Sequence, residues 1–353
     1  MSLGLRELCC CLGIDSKSFS RAAENLKKSA AIDISEELMR RVVEREGKAV
    51  LKAGRDPQLE LDWSAAACRT ITPQGQAVSR VYGSADGVMV PVTTQAEKDK
   101  RRETVLKRRK EKRPAQGAKR QRLGAVKAGA DGRYKQFFVT EFYDQDHEHK
   151  LVGATRGDHR KLGKLLRQEA ERIRLPGAQE RQGLVDGAVC LRHHMEGVGF
   201  TEVGLDFYHG VEHVKAAAKE TLGSDGQGKA SPAAQQWADD VTHTLRHEGY
   251  DPFWEKLCQW RSRQRGGKRA SADRLLHYVA ERKDMMNYAQ WEARGLHIGS
   301  GPVESMCKVT TQRVKGPGMR WDTDNAEAMM ALEALKQSDL WHRYWANALA
   351  AVN

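Results

Sequence analysis

The sequence predicts an α/β protein whose mixed sheet is flanked by helices, with an all-helical insertion and a helical N-terminal segment. Three observations carry this. Between about residue 79 and residue 223, strand-like and helical patterns follow in the order three strands, helix, strand, helix, strand, helix. The first three strands read as an antiparallel meander, and the later alternation adds strands parallel to the same sheet. Beyond a break at Gly223–Ala230 the pattern is helical to about residue 292, before the chain reaches a glycine- and proline-opened helix at Gly299.

The elements follow in order. Residues 1–54 read as three short helices. In the third, Asp33 and Glu36 have capping-box spacing, Leu38, Val42 and Val43 mark one face, and Arg40, Arg41 and Arg45 project elsewhere. A three-helix unit ending in a basic helix fits a helix-turn-helix DNA-binding domain, and a plain helical bundle equally well. Residues 55–78 carry no strong period and read as a linker. Val78 to Val92 is the first strand, rich in Val, Tyr and Gly around Asp86; Lys135–Tyr143 and Lys150–Thr155 are the next two. Asp158 is placed to cap a helix carrying Leu162, Leu165, Leu166, Ala170 and Ile173 at helical spacing. A short strand ends near Asp186, a short helix follows, and a strand through Val203, Leu205 and Phe207 leads to a helix from about Val211 to Thr221.

Gly223 to Ala230 breaks the pattern. Ser231-Pro232 and Asp251-Pro252 each put a capping residue before a proline at the first helical position. Trp237, Val241 and Leu245, then Phe253, Trp254 and Leu257, supply apolar stripes. The helix opened by Gly299-Ser300-Gly301-Pro302 is expected to end at Gly316-Pro317-Gly318. A last helix, Asn325 to Lys336, precedes an aromatic tail with Trp341, Tyr344 and Trp345. The expected organisation is a helical domain at 1–54, a linker at 55–78, a core at 79–223 and 296–353, and a helical insertion at 224–295.

Composition narrows the function classes. No apolar run reaches the length of a membrane span, and Arg6 and Glu7 interrupt the N-terminus where a signal peptide needs apolar residues. Seven cysteines without a Cys-x-x-Cys pair, three of them together at Cys9, Cys10 and Cys11, read as buried thiols in a reducing cytoplasm. The net charge of +12 is concentrated: from Lys98 to Arg122 there are thirteen Lys/Arg against Asp99, Glu103 and Glu111. Such a block repels itself and attracts polyanions, so it is expected as a mobile cationic loop for a phosphate backbone, with Lys107, Arg108, Arg109 and Lys110 at its centre.

Three carboxylates stand out by position. Asp86 lies inside a strand, where an unpaired charge is disfavoured. Asp186 ends a strand on the sheet edge where α/β folds place their sites. Glu304 sits in the first turn of the helix that Pro302 opens. Singly, each has an ordinary explanation, since Asp-Gly pairs make turns and first-turn glutamates cap helices. The helix strengthens the case. Val303, Met306, Cys307, Thr310 and Val314 form an apolar face, while Glu304, Lys308, Thr311 and Lys315 make one polar stripe, with Arg313 and Arg320 adding charge.

Five segments carry a resemblance: Ala-Asp-Gly-Val-Met-Val (85–90), Leu-Val-Asp-Gly-Ala (184–188), Leu-Asp-Phe-Tyr-His-Gly-Val-Glu-His-Val (205–214), Gly-Ser-Gly-Pro-Val-Glu-Ser-Met-Cys-Lys (299–308) and Arg-Val-Lys-Gly-Pro-Gly-Met-Arg-Trp (313–321). In this order they resemble the bacterial insertion-sequence transposases of the ISKra-four group, relatives of the Mutator-like DDE enzymes. The resemblance runs from about residue 35 to the C-terminus. It implies an RNase H-like fold, a catalytic and metal-binding triad of Asp86, Asp186 and Glu304, and a supporting Asp-x-x-His pair at Asp206 and His209. The basic insertion at 98–122 and a short N-terminus depart from the family pattern.

Hard oxygen ligands favour two magnesium ions, with manganese able to substitute. The implied partners are transposon terminal inverted repeats and target DNA, bound by a homodimer or larger assembly in the cytoplasm with the nucleoid. Lys308, Arg313, Lys315 and Arg320 are the expected phosphate contacts. Two competing classes remain. His209-Gly-Val-Glu212-His213 has the spacing of an inverted zinc-peptidase motif, which would make a zinc hydrolase. A non-catalytic DNA-binding derivative of a transposase is the other. His147 and His149, and His193 and His194, read as surface histidines rather than metal ligands.

Overall fold

The computed structural model describes residues 1–54, 59–111, 123–225, 227–338 and 340–350. The chain opens with α1 (Leu3–Asp15), α2 (Phe19–Ala30) and α3 (Glu36–Ala53). Each starts on a serine, Ser2, Ser18 or Ser35, whose hydroxyl accepts a hydrogen bond from the N–H three residues on. The expected Asp33–Glu36 capping box is therefore replaced by Ser35, and Asp33 pairs instead with Lys27 at 2.6 Å. Met39, Val42, Val43 and Val50 form the buried stripe of α3, while Leu38 faces solvent.

The segment expected as a linker contains a strand, β1 (Arg69–Ile71), antiparallel to the start of β2 (Ala77–Pro91). Residues 55–58 of that segment lie outside the described residues. At the far end of β2 the cationic block is a helix, not a loop: α4 spans Gln95–Glu111. Thr94 and Glu97 cap it reciprocally, Thr94 N–H donating to the Glu97 carboxylate at 3.0 Å and Glu97 N–H to the Thr94 hydroxyl at 3.3 Å. The remainder of the block, 112–122, lies outside the described residues.

The sheet is built outward from β2. β3 (Tyr134–Tyr143) and β4 (Lys150–Arg156) continue antiparallel on one side; β5 (Glu180–Val185) and β6 (Glu202–Leu205) lie parallel on the other, in the order β4-β3-β2-β5-β6. Parallel additions require crossovers, and α5 (His159–Arg172) and α6 (Val189–Val198) supply them. This meander followed by two parallel strands is the RNase H-like arrangement. Next, α7 (Phe207–Leu222) starts four residues earlier than expected, because Asp206 caps it by accepting the His209 N–H at 2.7 Å.

The insertion comprises α8 (Pro232–His247), α9 (Tyr250–Ser262), α10 (Gly266–Ala280) and α11 (Tyr288–Ala293). Ser231 caps α8 as expected; Asp251 does not cap α9, which follows Gly249 at φ 99° and begins at Tyr250. The insertion returns to the sheet through aromatics. The Trp291 ring lies over Gly204, where a Cβ would stand 2.8 Å away, and the Tyr288 hydroxyl donates to the Leu205 carbonyl at 3.0 Å. Buried Arg80 clamps the exit, donating to Glu180 at 2.7 Å and to the carbonyls of Arg294 and Gly295 at 2.9 and 2.8 Å.

The chain closes with α12 (Gly301–Gln312), α13 (Thr323–Gln337) and α14 (Trp341–Ala350). α13 is buried on nearly every side, and α3 packs against it through Gly47. Among the described residues no helix is long and apolar enough to cross a membrane.

Gly47 sets two effects against each other. On an isolated helix Gly→Ala gains about 1 kcal/mol of propensity. Here a Cβ would lie 2.5 Å from the Ala328 carbonyl oxygen, a backbone atom that cannot rotate away. Overpacking of this kind costs about 1–3 kcal/mol, so Gly47→Ala is expected to lower the urea unfolding midpoint. A raised midpoint would show that α3 and α13 do not approach this closely.

Candidate active site

Strand register brings the first two carboxylates together. Ser84 of β2 is paired with Leu184 of parallel β5, so continuing two residues sets Asp186 opposite Asp86. Neighbouring strands lie about 4.8 Å apart. One strand further, Val185 is paired with Leu205, and the Asp206 N–H donates to the Val185 carbonyl at 2.8 Å. Asp86, Asp186 and Asp206 therefore stand in a row across β2, β5 and β6, on the face that α12 covers. One cleft there is lined by Asp86, Asp186, Asp206, His209, Ser300 and Glu304, with Cys307 and Lys308 further along α12 and Lys315 just past its end.

The aspartates differ in what they are free to do. Asp206 is 2% exposed and fully committed: one carboxylate oxygen accepts the His209 N–H, and the other accepts both the N–H of Ser300 and its hydroxyl, the latter at 2.7 Å. It ties the end of β6 to the residue preceding α12. Asp86 and Asp186 each spend one oxygen on a nearby backbone N–H, of Gly87 at 2.6 Å and Ala188 at 2.9 Å. Among the described residues, the second oxygen of Asp86 meets only the Cys307 thiol at 3.7 Å. Glu304 is exposed in the first turn of α12. Burial, then the neighbouring Asp186 charge, raises the Asp86 pKa against the lowering pull of the Gly87 N–H. Burial and the Asp86 charge likewise push the Cys307 thiol up.

These are hard oxygen donors, two of them adjacent and incompletely satisfied, which suits a magnesium or manganese ion. Among the described residues, no three His, Cys, Asp or Glu side chains converge into a ready-made ligand group. His209 lies 3.9 Å from Glu212 and meets the His213 ring edge-on at 5.2 Å between centroids, without forming a ligand group among the described residues. His213 stacks on Tyr278 with ring centroids 3.8 Å apart, and Glu212 faces solvent beside His209.

The expected phosphate contacts divide. Lys308 and Lys315 are exposed along the cleft, and Arg320 is exposed but paired with Glu97 at 3.2 Å, at the base of α4. Lys107, Arg108 and Lys110 are exposed on α4, with Arg109 half-buried. Arg313 is a correction: it is 7% exposed, donates to the Gly13 carbonyl at 2.9 Å, and packs against the mutually edge-on rings of Phe19 and Trp321. Burial lowers its pKa to about 10. A side chain so enclosed holds the fold together and does not reach DNA. Thr311 also leaves the proposed polar stripe, since it is buried with its hydroxyl on the Cys307 carbonyl. Among the other histidines, His149 stacks on Trp63 and His147 on Tyr143, while His194 packs against α5 at Gly163. Sequence reading missed Ser300 and Cys307 as site residues. The Gly-Ser-Gly-Pro turn was the available signal for the first, and the position three residues after Glu304 for the second.

A carboxyl whose folded pKa is raised contributes stability while protonated and loses it as pH rises through that raised value. In metal-free buffer, Asp86→Asn is therefore expected to raise the melting temperature at neutral pH by roughly 1 °C, the shift that a change of about 1 kcal/mol gives in a chain of this size. The gain should shrink on acidification. Calorimetry in the presence of a chelator checks it; a variant less stable than wild type at neutral pH would contradict the crowding of Asp86 by Asp186.

No protein-family model and no curated protein matches the sequence. Among solved structures, the chain is similar to a chain of the Drosophila P element transposase strand transfer complex, at 10% identity and a TM-score of 0.35, with 98% of this chain and 80% of that chain covered.

Proposed function

We propose that this protein is a DDE transposase, catalysing magnesium-dependent cleavage and strand transfer of an insertion sequence. The observation that carries the reading is that Asp86, Asp186 and Glu304 line one cleft, beside the parallel β2–β5 register that runs to Ser84 and Leu184. Asp86, Asp186 and Glu304 would hold magnesium, or manganese in its place, which supplies Lewis-acid activation of an oxygen nucleophile and charge stabilisation at phosphorus.

The chain's own groups do the rest. At an element end, a water oxygen forms a new bond to phosphorus as the bond to the 3′-oxygen breaks, and the departing oxygen takes up a proton as a 3′-hydroxyl. That hydroxyl then attacks a target phosphodiester in the same way, expelling the target's own 3′-oxygen. Lys308 of α12 and Lys315, three residues past its end, line the cleft and would hold phosphates flanking the reacting one. Arg320 and the exposed cations of α4, Lys107, Arg108 and Lys110, would add further contacts to the DNA backbone. Asp206 positions α12, and His209 lines the wall beside it. The substrates are terminal inverted repeats and target DNA, engaged by a dimer or larger assembly in the bacterial cytoplasm.

Two outcomes test the reading. On duplexes carrying the inverted repeats of the encoding element, Glu304→Gln is expected to cut magnesium-dependent strand cleavage by a factor on the order of a hundred or more, the scale of losing one charge-stabilising group. Retention of the same duplex on a gel should be largely unchanged. Cleavage at the wild-type rate would remove Glu304 from the site. Separately, replacing Lys107, Arg108 and Lys110 together by alanine should flatten the plot of log affinity against log salt by up to roughly 2.7, about 0.9 for each phosphate left without its cation. An unaltered slope would mean that α4 does not touch the backbone.

A further inference from the structure

Arg282 follows α10 at the far end of the insertion, yet its side chain reaches the turn that carries Asp186. Its Nε donates to the Gly187 carbonyl at 3.1 Å, and its Nη1 donates to the Tyr278 carbonyl at 3.0 Å. The guanidinium lies 4.0 Å over the Tyr278 ring, and that ring stacks in turn on His213 of α7. The turn is built to accept this contact. Gly187 has φ +86°, and a Cβ there would stand 2.9 Å from the Arg282 Nε and 2.7 Å from a Leu205 methyl. On its other side the Ala188 N–H is donated to Asp186. The Asp186 turn is thus gripped by its own carboxylate from within and by Arg282 from without.

We propose that Arg282 is a positioning residue for Asp186, making the helical insertion a working part of the metal-binding site. The inference rests on the transposase reading for its consequence, but not for its geometry. It acts through a directed N–H on a backbone carbonyl, so charge alone does not replace it. Lysine keeps the charge and the aliphatic stem and has no Nε.

The test compares wild type, Arg282→Lys, Arg282→Met and Asp186→Asn, each as the full chain. Hydrogen exchange followed by mass spectrometry reads the peptide over residues 184–190 without metal or DNA. Both Arg282 variants are expected to exchange there several-fold faster, with protection in β3 unchanged. Titration with manganese is expected to give about ten-fold weaker binding in both, the usual scale for losing a group that orients a ligand, while Asp186→Asn loses the binding. Wild-type exchange and affinity in Arg282→Lys would overturn the proposal, since a charge or packing role would be rescued by lysine. If Arg282→Met also loses protection in β3, Arg282→Lys alone decides. Absence of Asp186-dependent manganese binding in wild type would instead sink the transposase reading; faster local exchange would then still establish the grip on the turn, and unchanged exchange would refute it.

Discussion

The site depends on how α12 is pinned, because it carries Glu304 and Lys308 and leads directly into Lys315. Each end is held by a buried ionic group of the sign that the helix dipole favours. Beside the N-terminus, Asp206 accepts the N–H and hydroxyl of Ser300. At the C-terminus, Arg313 donates to Gly13 and packs against the mutually edge-on rings of Phe19 and Trp321. Hydrogen bonds to a charged group contribute about 1.5–3 kcal/mol each, and a buried carboxylate without them would be untenable. Between the two pins, Val303, Met306 and Cys307 dock on the sheet. The helix therefore has little freedom to slide or rotate.

The same two pins explain why the outer elements matter to the centre. Arg313 makes the N-terminal helices a support for α12, through Gly13 at the end of α1 and Phe19 at the start of α2. Asp206 makes β6 and α7 a support at the other end. The insertion contacts this assembly from a third direction, through Tyr288 and Trp291 on β6 and Arg282 on the Asp186 turn. Segments far apart in sequence thus converge on one helix and one turn.

Much of the sheet was legible in the chain. Alternating Val, Tyr and Phe around Asp86 and in 135–143, and the helix-strand alternation that follows, specify a meander with parallel additions. The row Asp86–Asp186 follows from it, since each aspartate sits at a readable strand position. Other features had local signals that periodicity obscured. Thr94-x-x-Glu97 announces α4, but the charge block behind it argues for a loop. Asp206 before Phe207 announces α7, but the apolar run across them extends the strand pattern. Arg313 had little local signal: Trp321 lies near it in the chain, but Gly13 and Phe19, which complete its burial, lie about three hundred residues away, and a surplus of basic neighbours makes any arginine there read as a surface cation. Only tertiary packing distinguishes it.

The three proposed metal-holding carboxylates differ in mobility, and this bears on the lack of a preformed ligand group among the described residues. Asp86 is fixed by its strand and Asp186 by its turn, each with an oxygen held by a backbone N–H. Glu304 extends into solvent from an anchored helix on a longer side chain. Bringing it in costs about 1–2 kcal/mol of rotamer freedom, together with repulsion from two nearby negative charges. Without a cation the repulsion is uncompensated, and an outward Glu304 is the lower-energy state. With one bound, the sign of the electrostatic term would reverse and would favour Glu304 turning toward the aspartates. On the proposed reading, the fold supplies two rigid ligands and one adjustable one, so the cleft stays open to a DNA strand until the charges to close it are present.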